Sequence, residues 1–127
     1  MDDGTILSIS GIGAKPKKMG IFDWNKQYTG VVGDGNWTKI YRVPSSNPNK
    51  AVTWAKNNYV GKNSSYGIST NFRSTDPTYC SKIAWHSYYF GDTASKNKAR
   101  PAGGHIILPY SLPKYFGLEA KLILVWD

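Results

Sequence analysis

Asp76-Pro77 opens the stretch that most restricts what this chain can fold into. Aspartate is a favoured helix N-cap, and proline suits the first helical position, where its missing N–H costs nothing. Behind the pair, Cys80, Ile83, Ala84, Ser87 and Tyr88 recur at three-four spacing, which marks the inward face of a helix. The sequence predicts a helix from Pro77 to about Tyr89, stopped at Gly91. Cys80 is the only cysteine. It then falls in the first turn or just beyond, with its sulfur turned inward. Free backbone N–H groups and the positive end of the helix dipole favour an anion there. A thiol so held ionises more readily, and the thiolate is the nucleophile. The plainer reading is a small buried hydrophobe.

A second helix start lies upstream. Asn47 and Pro48 form the same cap-proline pair, and Ala51, Val52, Ala55 and Tyr59 share one face of the helix that follows. Thr5 to Ser10 and Lys39 to Val43 alternate apolar and polar residues and read as strands. Ile106 to Leu108 and Leu122 to Trp126 are short apolar runs of the same kind. Gly11 to Gly20, rich in glycine and lysine, reads as a loop. Phe22, Trp24 and Tyr28 lie in a short, helix-like piece and read as packing aromatics. Gly33 to Asn36 is a turn, Gly61 to Ser74 a long loop of the kind that often carries function, and Asp92 to Gly104 a polar loop. Pro113 to Phe116 makes one short turn. The expected architecture is α+β: a small antiparallel β-sheet packed against two main helices.

A chain of 127 residues suits one domain, residues 1–127, with a modest core. No apolar run is long enough to span a bilayer as a helix, and Met1-Asp2-Asp3 does not open a signal peptide. A lone cysteine forms no internal disulfide. The net charge of +8 suits anionic partners in general. Its lysines are scattered, the densest run being Lys15-Pro16-Lys17-Lys18, and no nucleic-acid fingerprint accompanies them. A solvated basic surface is the expected reading, with no specific nucleic-acid partner. One cysteine, two histidines and one glutamate do not make a zinc or calcium site. Gly11-Ile12-Gly13 is too short for a phosphate loop. No metal or other cofactor is expected.

The run from Tyr79 to Tyr88, Tyr-Cys-Ser-Lys-Ile-Ala-Trp-His-Ser-Tyr, resembles the Y-C-S-[EK]-[LIV]-[VA]-W-x-[AS]-[YF] block of the permuted papain-like amidases and peptidases. These form the YiiX-like group, a circularly permuted branch of the NlpC-type cell-wall hydrolases. Gly103 to Pro113 is similar to that group's G-x-(apolar)-x-x-P-x-(D/S)-L segment, and Asp3 to Ser10 resembles the second strand of its core. The resemblance implies a papain-like, NlpC-type core, with the cysteine helix packed on a sheet that carries its partners. It implies a cysteine-dependent amidase or peptidase acting on cell-wall peptide, peptidoglycan-like amides, or acyl groups on amines or lipids, in an extracellular or cell-wall setting.

Cys80 is the implied nucleophile. Such a site also needs a histidine to pair with the thiol and a polar group to orient that histidine. In the group, the histidine strand precedes the Asp-Gly hairpin, whereas here only Met1 and Asp2 stand before Asp3-Gly4. The expectation is therefore a reduced core, N-terminally truncated, with weak or no activity unless the histidine is replaced or supplied by another chain. His86 lies six residues past Cys80, about 120° around and roughly 9 Å along a helix, and reads as a surface or edge histidine. His105, after Gly103-Gly104, is the candidate substitute base. Ser8 falls where the group's orienting residue lies. Tyr66 and Tyr79 are the candidate substrate-binding aromatics. A strand from Thr5 to Ser10 without its hairpin partner would expose an open edge for association. The rival expectation is a non-catalytic, basic, aromatic-rich module that binds an anionic cell-wall polymer or glycan.

Overall fold

Asn47 caps the best-formed helix start: its side-chain oxygen accepts the Lys50 N–H at 3.2 Å, with Pro48 in the first turn. The computed structural model describes residues 1, 5–28, 38–42, 47–71, 73–92, 106–119 and 121–126. Its elements run β1 (Thr5–Ser8), β2 (Lys17–Gly20), α1 (Ile21–Tyr28), β3 (Thr38–Arg42), α2 (Pro48–Asn58), α3 (Cys80–Gly91), a 3-10 segment (Pro109–Glu119) and β4 (Lys121–Trp126). The fold class is α+β. Among the described residues the strands form two antiparallel ladders, β1 with β2 and β3 with β4, in place of the single sheet expected.

Lys17 to Gly20 was expected in a loop, yet it pairs with β1 in the register Thr5↔Gly20 to Ser8↔Lys17. Gly11 and Ala14 close the connecting turn through a 2.9 Å hydrogen bond. Gly13 holds φ 83° there, a conformation that glycine adopts without steric cost. The strand at Thr5 therefore has a downstream hairpin partner along one of its edges. The Asp3-Gly4 turn lies outside the described residues, as do Gly33 to Asn36 and residues 93–105.

Helices α2 and α3 run antiparallel. The start of α2 meets the end of α3, where the Asn47 N–H donates to the buried Asp92 carboxylate at 2.7 Å. Gly91 permits this approach: a Cβ there would lie 2.8 Å from the Lys50 carbonyl oxygen and 2.9 Å from the Trp54 Cβ. At the other end, Tyr59 reaches Thr78 and His86. Two apolar clusters flank α3. Ile9, Tyr59 and Ile83 join β1, α2 and α3, with Leu7 and Trp54 packed beside them. Tyr79, Trp85, Ile107 and Phe116 join α3 to the 3-10 segment.

Being packed on both sides changes which face of α3 is buried. Ser81, Lys82, Ile83, Trp85, His86 and Ser87 are buried, whereas Cys80 is exposed. The expected inward face held Cys80, Ala84 and Tyr88, and the last two are half-buried. Residues 106–108 form no strand. The expected short turn at Pro113 is part of the longer 3-10 run. Phe22, read as a packing aromatic, is 79% exposed.

Candidate functional site

Cys80 is the first residue of α3, and its thiol is exposed. The helix begins three residues later than expected because Asp76 is engaged elsewhere. Its carboxylate accepts the Ser65 N–H at 3.0 Å and the Ser65 hydroxyl at 2.7 Å. Those two donors hold it below the usual carboxylate range. Pro77 follows through a cis peptide. Thr78 then pairs with the long loop: its N–H donates to the Ser65 carbonyl at 2.9 Å, and its carbonyl accepts the Gly67 N–H at 3.0 Å. Tyr66 and Thr78 form an isolated parallel bridge. The cysteine helix is thus entered from an extended segment.

Tyr79 is the N-cap, in extended conformation and without a side-chain cap. An uncapped first turn leaves N–H donors at the helix start, beside the Cys80 thiol. The Tyr79 side chain runs inward and is buried, and its hydroxyl accepts the Ile107 N–H at 3.0 Å. On the other side of Cys80, the Ser81 hydroxyl donates to the Ile107 carbonyl. Both backbone groups of Ile107, itself fully buried, are therefore held by the two residues that flank the cysteine. Sequence reasoning missed Ser81 altogether. It stands in the Tyr-Cys-Ser block, but nothing in its spacing showed a partner 26 residues on.

His86 is 0% exposed, which corrects its reading as a surface histidine. Its Nδ1 lies 2.6 Å from the Tyr59 hydroxyl, which is also 3.1 Å from the Thr78 hydroxyl. Burial pushes the Tyr59 phenol up to about 12, with Thr78 acting in the opposite direction. The Tyr59 hydroxyl thus bridges the Thr78 hydroxyl and the His86 ring in one buried chain of hydrogen bonds. Cys80 sits at the exposed start of the helix and His86 in its buried middle, so α3 holds the two apart.

Lys82 is also 0% exposed. Its ammonium donates to the Pro77 carbonyl at 2.9 Å. Burial pushes its pKa down, and the charge of Asp76 pulls it back up. Ser8 is buried at the end of β1, opposite Lys17, and Ile9 beside it packs against Ile83 of α3. Tyr66 is half-buried and touches both apolar clusters. His105 lies outside the described residues.

A cleft of about 440 Å³ opens over α2 and the far end of α3, lined by Asn49, Lys50, Thr53, Trp54, Asn57 and Phe90 among others. Eleven residues at 1.5 Å each put Gly91 roughly 16 Å along the helix from Cys80, so this cleft does not serve the thiol. Among the described residues, no group of three or more His, Cys, Asp or Glu could hold a metal ion. No helix there is long and apolar enough to cross a membrane.

The chain is 31% identical over 119 residues to an uncharacterized 30.3 kDa protein of Bacillus thuringiensis, an alignment covering 87% of this chain and 42% of that protein. It therefore spans less than half the length of this relative. No solved structure matches it significantly. The sequence model of the family described as lipoprotein N-acylation protein LnsA-like matches residues 1–127, and the chain belongs to that family.

Proposed function

We propose that the chain carries out cysteine-dependent acyl chemistry, with Cys80 taking an acyl group from an ester or amide donor and passing it to an amine or to water. The observation that carries this reading is the exposed thiol at the first residue of an uncapped helix, flanked by two residues fixed in the core. The family description, which speaks of N-acylation, supports acyl groups as the cargo over cell-wall peptides. A permuted papain-like arrangement of these parts belongs to the same proposal.

The thiolate sulfur attacks the acyl carbon, and the carbonyl pair moves onto oxygen. First-turn N–H groups of α3 face that oxyanion and lower the barrier. Collapse breaks the bond to the leaving alcohol or amine, which takes a proton, and a thioester remains on Cys80. An acceptor amine or water then attacks the thioester carbon, and sulfur leaves as thiolate. His105 is the proposed proton carrier. It stands two residues before Ile107, which the two neighbours of Cys80 anchor. Ser8 is the proposed orienting group and Tyr66 the proposed wall of the acyl site. Tyr79 acts from the core, by positioning.

The test is intact-protein mass after incubation with p-nitrophenyl octanoate. The parent gains one octanoyl group that hydroxylamine removes, and Cys80→Ala gains none. The same adduct on Cys80→Ala overturns the reading, and so does an unmodified parent that releases p-nitrophenol no faster than Cys80→Ala.

A second reading, a non-catalytic module for a glycan or anionic polymer, is favoured by the amide- and lysine-lined cleft, with its Trp54–Phe90 stack at 5.7 Å. Saturable calorimetric binding of a wall-polymer fragment, unchanged by Cys80→Ala and lost in Trp54→Ala, would support it.

A further inference from the structure

We propose that the start of α1 and the strand before it form a docking surface for an anionic lipid bilayer. Phe22 is 79% exposed and Ile21 37% exposed. Large apolar side chains in adjacent positions at a helix start are costly to leave in water. Lys17 and Lys18 lie exposed on β2, which runs into α1 without a linker. Lys26 is exposed one turn beyond Phe22, on the same helix face by i,i+4 spacing. Asp23 is the only acidic residue between Thr5 and Tyr28.

Exposed apolar side chains flanked along the chain by the exposed Lys17, Lys18 and Lys26 match a negatively charged membrane surface. The apolar groups enter the boundary between headgroups and acyl chains, and the ammonium groups meet lipid phosphates. Charge complementarity selects this occupant over a second copy, because two such basic surfaces repel. The helix is too short to span, so the contact is peripheral. A short amphipathic face alone binds weakly and depends on the anionic lipid, so both contributions are required. Trp24 is half-buried, and α1 packs on β1 and β2. The surface does not depend on the thiol chemistry.

The test is co-sedimentation of the full chain with vesicles of phosphatidylcholine alone or mixed three to one with phosphatidylglycerol (about one-quarter anionic lipid). Binding is expected to the mixed vesicles and not to the neutral ones. Phe22→Ser weakens it about tenfold, and Lys17→Gln with Lys18→Gln does the same. Cys80→Ala binds like the parent, which separates this result from that of the acylation test. Circular dichroism checks that each variant is folded, and exposed positions tolerate such changes. Equal binding to both vesicle types overturns the proposal. So does parent-like binding by Phe22→Ser, which would leave only diffuse charge attraction. Self-association that Phe22→Ser abolishes, without vesicle binding, would assign the face to a second copy and also overturn it.

Discussion

The Tyr79 hydroxyl accepts a hydrogen bond from the buried N–H of Ile107 at 3.0 Å, 28 residues along the chain. This bond ties the residue before the cysteine to the segment that follows His105. Tyr79→Phe would strand a buried N–H, which costs about 1–3 kcal/mol. Urea unfolding should show that loss. A parent-like midpoint would mean that Ile107 finds another acceptor.

Cys80→Ser and Ser81→Ala should separate chemistry from support. The cysteine is exposed, so its replacement is expected to shift stability by no more than about 0.5 kcal/mol while abolishing acyl capture. Ser81→Ala removes the buried donor to the Ile107 carbonyl, costs about 1 kcal/mol, and leaves the thiol in place. Thermal melts and the octanoyl mass shift, measured together on both variants, check this.

Tyr59 makes stability fall at high pH. Its phenol is raised from 10.0 to about 12 by burial. Below pH 10 both states hold the proton, and the full contribution is present. As pH rises from 10 to about 12, the unfolded chain ionises first, and about 3 kcal/mol is lost. Tyr79 is raised by burial too and acts in the same sense. Tyr59→Phe should therefore be less stable at neutral pH but fall less steeply above pH 10. Chemical unfolding at pH 8, 10 and 11 reads the two slopes. Parallel curves would contradict a buried, protonated phenol.

Gly91→Ala should loosen the pairing of α2 and α3. The added methyl would meet the Lys50 carbonyl oxygen at 2.8 Å and the Trp54 Cβ at 2.9 Å. Backbone cannot yield as a flexible side chain does, so the expected cost is about 1–3 kcal/mol. The same change at Gly61 meets no atom within 4 Å but forces alanine to φ 73°, a backbone penalty without the clash. Thermal melts of the two variants, with near-ultraviolet circular dichroism of the Trp54 region, distinguish packing from backbone strain.

Local signals are legible in the sequence, and remote ones are not. Asn47-Pro48 caps α2 as its sequence indicates, because the bond to Lys50 is three residues away. Asp76-Pro77 carries the same signal, but Ser65, eleven residues upstream, takes the aspartate. His86 was misplaced because α3 is covered from two sides, which erases the single-face period. Ile106 to Leu108 has the apolar run of a strand, yet Ile107 is bonded to the side chains of Tyr79 and Ser81 instead of a ladder. Lys17 to Gly20 was hidden by its charge, since an edge strand tolerates lysine. The cysteine was legible from its uniqueness and neighbours, and the geometry that holds it was not.

Residues 65–78 make a noose. Its two ends are knotted together by the Ser65–Asp76 and Gly67–Thr78 bonds, while Ile68, Thr70, Asn71 and Arg73 at its crown lie in solvent. Both pairs of bonds lie between the crown and Cys80 along the chain. The crown is therefore the place to graft a dye, a tag or an extra stretch of chain beside the thiol without disturbing it.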